Sequence, residues 1–187
     1  MKNTKNIFTL ILVLGFVGFI SGACLSFTYA MTKEAIAESE EAARMEAVYA
    51  VLPGDEITIT EETIMIEGID HSVFFGYSNG ESIGMAVESV AGGYGGDVTF
   101  LVGFNPNLTI AGMALLKHAE TPGLGAKAGD ADFLDQFIGR TAPVNGFKVT
   151  KDGGGVDAIT AATITSRTAC VAATKAARLI QQIKGDQ

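Results

Sequence analysis

Apolar and polar positions divide the chain into three regimes. The first is residues 7–30, which carry no charge and are crowded with Leu10, Ile11, Leu12, Val13, Leu14, Phe16, Val17, Phe19 and Ile20. Coiled as a helix at about 1.5 Å per residue, this run spans about 36 Å, enough for a hydrocarbon core of about 30 Å. It predicts a transmembrane helix kept as an anchor. The rival is a cleaved signal peptide with Thr28-Tyr29-Ala30 as a passable site, although the run is long for one. Cys24 invites a lipoprotein reading. The residues before it, Ser21, Gly22 and Ala23, lack the bulky aliphatic such a site needs, so a small apolar cysteine is the better reading.

The second regime, 32–52, is rich in Ala and Glu. Ala42, Met45, Val48 and Leu52 recur at helical spacing, so the helix is expected to continue as an acidic stalk until Pro53-Gly54 ends it.

The third regime is β-rich. Ile57-Thr58-Ile59 and Ile64-Met65-Ile66 are short apolar stretches. Val73, Phe75 and Tyr77 alternate across a pleat, and Asn79-Gly80 is a hairpin turn signal. Residues 83–90 and 98–104 continue the sheet, and Asn105-Pro106-Asn107 turns the chain before 108–116. A short helix is expected over 130–138 and a strand over 147–149. An Ala-rich helix over 164–184 buries Cys170, Ala173, Ala177 and Ile180. The fold class is α+β: one N-terminal transmembrane helix, then a single domain with an antiparallel-rich sheet and flanking helices. The boundaries read as 1–6 before the membrane, 7–30 within it, 31–52 as helical stalk and 53–187 as domain.

Composition narrows the function. The net charge of −8 speaks against nucleic acid, whose phosphates need a basic surface. Two cysteines fall short of the four thiolates of an iron–sulfur cluster. His71 and His118 lie too far apart for zinc-ligand spacing. Redox chemistry would therefore have to come from an organic cofactor or a partner.

One segment concentrates the candidate chemistry: Asp157-Ala158-Ile159-Thr160-Ala161-Ala162-Thr163-Ile164-Thr165-Ser166, preceded by Gly153-Gly154-Gly155. A glycine loop here delivers a hydroxyl to the start of a helix. Ala161 and Ala162 are too small to screen that hydroxyl, and a helix N-terminus suits a phosphate. A plain glycine turn with Ser/Thr capping of an Ala-rich helix reads equally well from these residues alone.

The segment resembles the flavinylation motif of the extracytoplasmic covalent-FMN-binding domain family: Asp, two variable residues, Ser or Thr, Gly, Ala, Thr. The resemblance implies that a flavin transferase cleaves FAD and joins FMN by a phosphoester to Thr163. Thr160 is then the upstream hydroxyl residue, Asp157 the motif acid and Ala162 the small neighbour. Ala161 stands where Gly is usual. If that position needs positive φ, Ala costs on the order of 1 kcal/mol.

A second stretch, His118-Ala119-Glu120-Thr121-Pro122-Gly123-Leu124-Gly125-Ala126-Lys127, is similar to the Glu-Thr-Pro-Gly-Leu-Gly loop of the G subunit of the Rnf ion-translocating electron-transport complex. The counterpart loop in the C subunit of the sodium-pumping quinone reductase is also similar. Gly92-Gly93-Tyr94-Gly95-Gly96 matches the family's glycine-rich turn. The resemblance adds Glu120, Thr121, Gly123, Leu124, Gly125 and Lys127 to the cofactor-binding set. Glu120 and Thr121 are expected to make polar contacts with the flavin ring and Leu124 to cover it. His118 is a neighbour of that loop, whereas His71 reads as surface.

Taken together, the resemblance implies an electron-relay subunit of a membrane-bound complex that couples ferredoxin and NAD to ion movement, not an independent enzyme. Its expected partners are the other subunits, the flavin transferase and membrane lipid. Lys2 and Lys5 before the anchor nearly balance Lys33 and Arg44 after it, so charge alone barely orients the chain. The family favours a cytoplasmic N-terminus and an extracytoplasmic domain at the cell membrane. The alternatives are a flavinylated module of another extracytoplasmic reductase or of the quinone reductase, and a membrane-anchored binding domain without flavin.

Overall fold

A computed structural model describes residues 2–54, 56–66 and 68–185. Met1 of the expected 1–6 segment, and residues 55, 67, 186 and 187 of the expected 53–187 domain, lie outside the described residues. The chain divides into two compact units, Met1–Ala43 and Arg44–Gln187.

The first unit is helical throughout its described length and belongs to helix α1, Lys2–Val51. Leu10, Leu14, Phe16, Phe19 and Leu25 are all exposed. A run apolar on every side has no face to offer water, and it fits a membrane anchor. By length and composition this helix can cross a membrane.

The second unit opens with the last turns of α1. It continues as five strands: β1 Thr58–Ile66, β2 Ile69–Ser78, β3 Glu81–Gly92, β4 Asp97–Phe104 and β5 Ile110–Lys117. They form one antiparallel meander in the order β1-β2-β3-β4-β5. Asn79 and Gly80 take φ of 51° and 82°, so both central residues of the β2–β3 turn lie in the left-handed region that a two-residue hairpin demands. The two apolar stretches at 57–59 and 64–66 join into the single strand β1, with Glu61 and Glu62 exposed between them.

Both faces of the sheet are covered. Val73, Val87, Phe100 and Val102 face helix α3, Thr163–Gly185, which presents Cys170, Ala173, Ala177 and Ile180. Ser89 adds a hydrogen bond from its hydroxyl to the Ala172 carbonyl at 2.9 Å. Burial pushes the Cys170 thiol up to about 11, so it stays protonated and acts as a small apolar side chain. On the opposite face, Phe74, Ala86 and Leu101 receive Val48, Val51 and Leu52 from the end of α1. The approach is close because Gly103 and Gly112 leave the sheet bare. A Cβ on Gly103 would stand 2.2 Å from the Val51 carbonyl oxygen, and one on Gly112 would stand 2.7 Å from Val51 Cα. Arg44 secures the same seat by ion pairs to Glu61 at 2.9 Å and to Glu88, with its guanidinium 4.7 Å from the Phe74 ring centre.

Two expectations change. The strand over 147–149 is a single parallel bridge, Val149 to Val156. A 3-10 turn at Thr150–Asp152 and Gly153 at φ 79° fold the chain back before a ladder can extend. The helix over 130–138 is the short α2, Ala131–Leu134, followed by a 3-10 turn at Asp135–Phe137. The tighter turn brings Phe137 edge-on to Phe133 at 5.8 Å and to Phe147 at 5.4 Å, closing that end of the core.

Candidate functional site

Three segments meet at one end of the sheet: the turn between β3 and β4, the loop after β5, and the first turn of α3. Between them lies a cleft of about 550 Å³, lined by Tyr94, Glu120, Thr121, Leu124, Gly125, Ala161, Ala162, Thr163, Ile164 and Thr165. Its size falls within the range of about 300–1,000 Å³ that serves small-molecule and cofactor sites.

The loop after β5 opens with a β-turn. Leu124 N–H bonds the Thr121 carbonyl at 3.2 Å. Pro122 and Gly123, the latter at φ 76°, fill the central positions that a type II turn assigns to these residues. Gly125 follows in close quarters. A Cβ there would lie 2.3 Å from Glu120 Oε2 and 2.9 Å from Thr165 Oγ1.

Glu120 is only 6% exposed, and both of its carboxylate oxygens accept hydrogen bonds. Oε1 accepts the backbone N–H groups of Tyr94 at 2.7 Å and Gly95 at 3.0 Å. Oε2 accepts the Thr165 hydroxyl at 2.7 Å. Burial alone would raise its pKa. The bonds from Gly95, Thr165 and Tyr94, with a smaller contribution from the charge of His118, outweigh that effect and hold the carboxyl below its usual range. In the structure its oxygens tie the walls of the cleft together, and Glu120 itself lines the cleft. The glycines of the β3–β4 turn serve the same closeness. A Cβ on Gly93 would meet Glu120 Oε1 at 2.3 Å, and one on Gly95 would meet the Ala119 carbonyl at 2.1 Å.

The turn into α3 is equally constrained. Ala162 N–H bonds the Ile159 carbonyl at 3.0 Å, and Ala161 within that turn has φ 62°. The positive φ on which the cost at this position was conditional is observed, and Ala161 carries its strain. Ser166 pins the turn by accepting the Ile159 N–H at 2.9 Å and donating to the Ala162 carbonyl at 2.9 Å. Thr168 donates to the Gly92 carbonyl at 2.8 Å. With Thr165 held by Glu120, the Thr163 hydroxyl is the one along this face of the cleft with no hydrogen-bond partner among the described residues. The N–H groups of Thr163, Ile164 and Thr165 precede the first helical bond, Ser166 N–H to Ala162 carbonyl, and have no partner among the described residues.

Of the residues singled out from sequence, the structure brings Glu120, Thr121, Leu124, Gly125, Ala162 and Thr163 together around the cleft. Asp157, Thr160, Gly123 and Lys127 do not line it. Asp157 and Thr160 are exposed on the approach to α3, and Gln136 holds the Asp157 backbone by bonds of 2.7 and 3.2 Å. Lys127 is exposed beyond the loop. Sequence reasoning missed Tyr94 and Ile164, which form an open apolar rim with Leu124; the three are 74%, 48% and 43% exposed. A large aromatic between two pairs of glycines was the available signal for Tyr94.

Residues 93–178, which contain all three segments, match the FMN-binding domain family. Over a longer span, the chain is 32% identical to the G subunit of an ion-translocating oxidoreductase complex from Aliivibrio fischeri, with 83% of this chain and 81% of that protein aligned. It is 31% identical to the corresponding G subunit of Methanosarcina acetivorans over 89% of this chain and 90% of that one. The C subunit of the Na(+)-translocating NADH-quinone reductase from Parabacteroides distasonis shares the fold, with a TM-score of 0.51, 18% identity, and 71% of this chain and 77% of that chain covered. This chain belongs to the G-subunit family of ion-translocating oxidoreductase complexes.

Proposed function

We propose that the chain is the flavoprotein subunit of a membrane-bound ion-translocating electron-transport complex of the ferredoxin/NAD type, and that it carries FMN as a phosphoester on Thr163. The observation that carries this reading is the unpartnered Thr163 hydroxyl at the cleft, beside three free N–H groups of the first turn of α3. The residues present fit the cofactor. Thr163 supplies an oxygen for the ester, the helix N-terminus supplies donors and a positive dipole end for the phosphate, and the remaining cleft has an apolar rim for a planar ring. Thr163 Oγ would form its bond to the FMN phosphorus of FAD as AMP departs, with the hydroxyl proton passing to the transferase. Bound FMN supplies one- and two-electron chemistry that the protein's own side chains lack.

The chain's own residues would divide the work as follows. Tyr94, Leu124 and Ile164 flank the ring, Thr121 offers it a hydroxyl, and Ala162 and Gly125 leave room. Asp157 and Thr160, exposed on the turn before α3, are presented for reading by a flavin transferase. Gly123 shapes the turn that places Leu124, and Lys127 offers a positive charge at the outer end of the loop. Residues 7–30 anchor the chain in lipid, 1–6 stay in the cytoplasm, and the stalk and domain stand outside it, where the other subunits of the complex would exchange electrons with the flavin.

The test is coexpression of the full chain with a flavin transferase, followed by a denaturing gel viewed under ultraviolet light. A fluorescent band that disappears in Thr163→Ala supports the reading. A fluorescent Thr163→Ala protein, or a wild-type protein without fluorescence, contradicts it.

A further inference from the structure

We infer that Glu120 is a positioning residue: by bonding Thr165 and the β3–β4 turn at once, it sets the first turn of α3 so that Thr163 is presented for flavin attachment. This rests on the reading of Thr163 as the acceptor.

The geometry is specific. Oε1 holds Tyr94 and Gly95 from one wall of the cleft, and Oε2 holds Thr165 from the other. These partners are far apart in sequence, so a single carboxylate joins the β3–β4 turn, the loop after β5 and α3. Thr165 is in the same first turn as Thr163, and both line the cleft. A rotation of that turn that freed Thr165 would also swing Thr163. An ionised carboxylate suits the task because it only accepts, and all three of its partners donate. Gly93 and Gly125 complete the arrangement, since a Cβ on either would meet a Glu120 oxygen at 2.3 Å. The carboxylate is held from both sides by these three bonds. Glu120 therefore acts through Thr165 on Thr163 and touches no reacting atom.

The experiment measures the initial rate of covalent flavin incorporation into the full chain, coexpressed with a flavin transferase, by gel fluorescence per unit of protein. Protease resistance of the domain is followed in parallel. Thr165→Val removes the hydroxyl and keeps the shape; it is expected to slow incorporation about tenfold, as loss of one hydrogen bond to a charged group implies, while the domain stays resistant. Thr165→Ser restores the hydroxyl and should return the rate to within about twofold of wild type. Glu120→Ala should slow incorporation at least as much, and adding Thr165→Val to it should change nothing further, because the pair acts as one unit. Wild-type rates in Thr165→Val would overturn the inference, as would effects that multiply in the double variant. Loss of protease resistance in Thr165→Val would also overturn it, because the bond would then serve folding. Failure of the underlying reading looks different: wild type itself would stay unlabelled, or Thr163→Ala would label.

Discussion

Thr163 and Thr165 line the same cleft from the same helical turn, yet only Thr165 has its hydroxyl taken, by Glu120 Oε2 at 2.7 Å. Two chemically identical side chains are thereby made unequal. The difference comes from a residue in another loop, and it is the basis for proposing attachment at Thr163 rather than at Thr165.

That asymmetry predicts unequal variants. Thr163→Ala should abolish covalent fluorescence on a denaturing gel. Thr165→Ala should reduce the rate of labelling and still reach a labelled product on long expression. Equal loss in both variants would mean that the two hydroxyls are not distinguished as the structure distinguishes them.

Ala161 sits at φ 62°, where an L side chain is strained by about 1–2 kcal/mol. Glycine relieves that strain and gives back about 0.5–1 kcal/mol in backbone entropy. Ala161→Gly should therefore stabilise the domain by up to about 1.5 kcal/mol, read as a raised thermal midpoint. A lowered midpoint would show that the turn tolerates the methyl group better than its backbone indicates.

The carboxyl of Glu120 lies below its usual range when folded, so it binds fewer protons than in the unfolded chain at mildly acidic pH. Its stabilisation is present above the unfolded value of about 4.3 and fades as pH falls through the lower folded value. Glu61 and Asp152 are shifted in the same direction by Arg44 and Arg167, and they add to the same acid loss. Denaturant midpoints measured from neutral pH down to about pH 3 should fall for wild type and fall less for Glu120→Gln. Parallel curves would show that Glu120 does not contribute to the linkage.

How much of this could be read from sequence depended on the range of each interaction. The uncharged run 7–30, the Asn79-Gly80 turn and the stripe of Cys170, Ala173, Ala177 and Ile180 are local patterns, and each appeared where expected. The departure at Ala161 from the motif's usual Gly marked the position whose φ mattered, and the structure supplies the positive value. The role of Glu120 was not foreseeable: its partners Tyr94, Gly95 and Thr165 lie 26, 25 and 45 residues away. The strand expected over 147–149 failed for a related reason. Its apolar residues do face the core, but Gly154 passes so close to Lys148 that a Cβ would meet its carbonyl at 1.9 Å, and the chain doubles back at once.

Gly103 and Gly112 were likewise silent in the sequence, and they make the seat for Val51. Gly103→Ala would place a methyl 2.2 Å from a backbone oxygen and should destabilise the domain by about 1–3 kcal/mol. Gly92→Ala, where a Cβ meets nothing within 4 Å, is the control and should change stability by less. Thermal unfolding of both variants checks the pair, and equal stabilities would remove the close approach of α1 from the account of the core.

The most direct measurement of the central claim is peptide mapping by mass spectrometry of the full chain purified from membranes that also contain a flavin transferase. The expected result is the mass of an FMN phosphoester on the peptide containing Thr163, with fragment ions assigning it to that residue and no such mass in Thr163→Ala. Flavin assigned to another residue, or found only after release in free form, would contradict the claim.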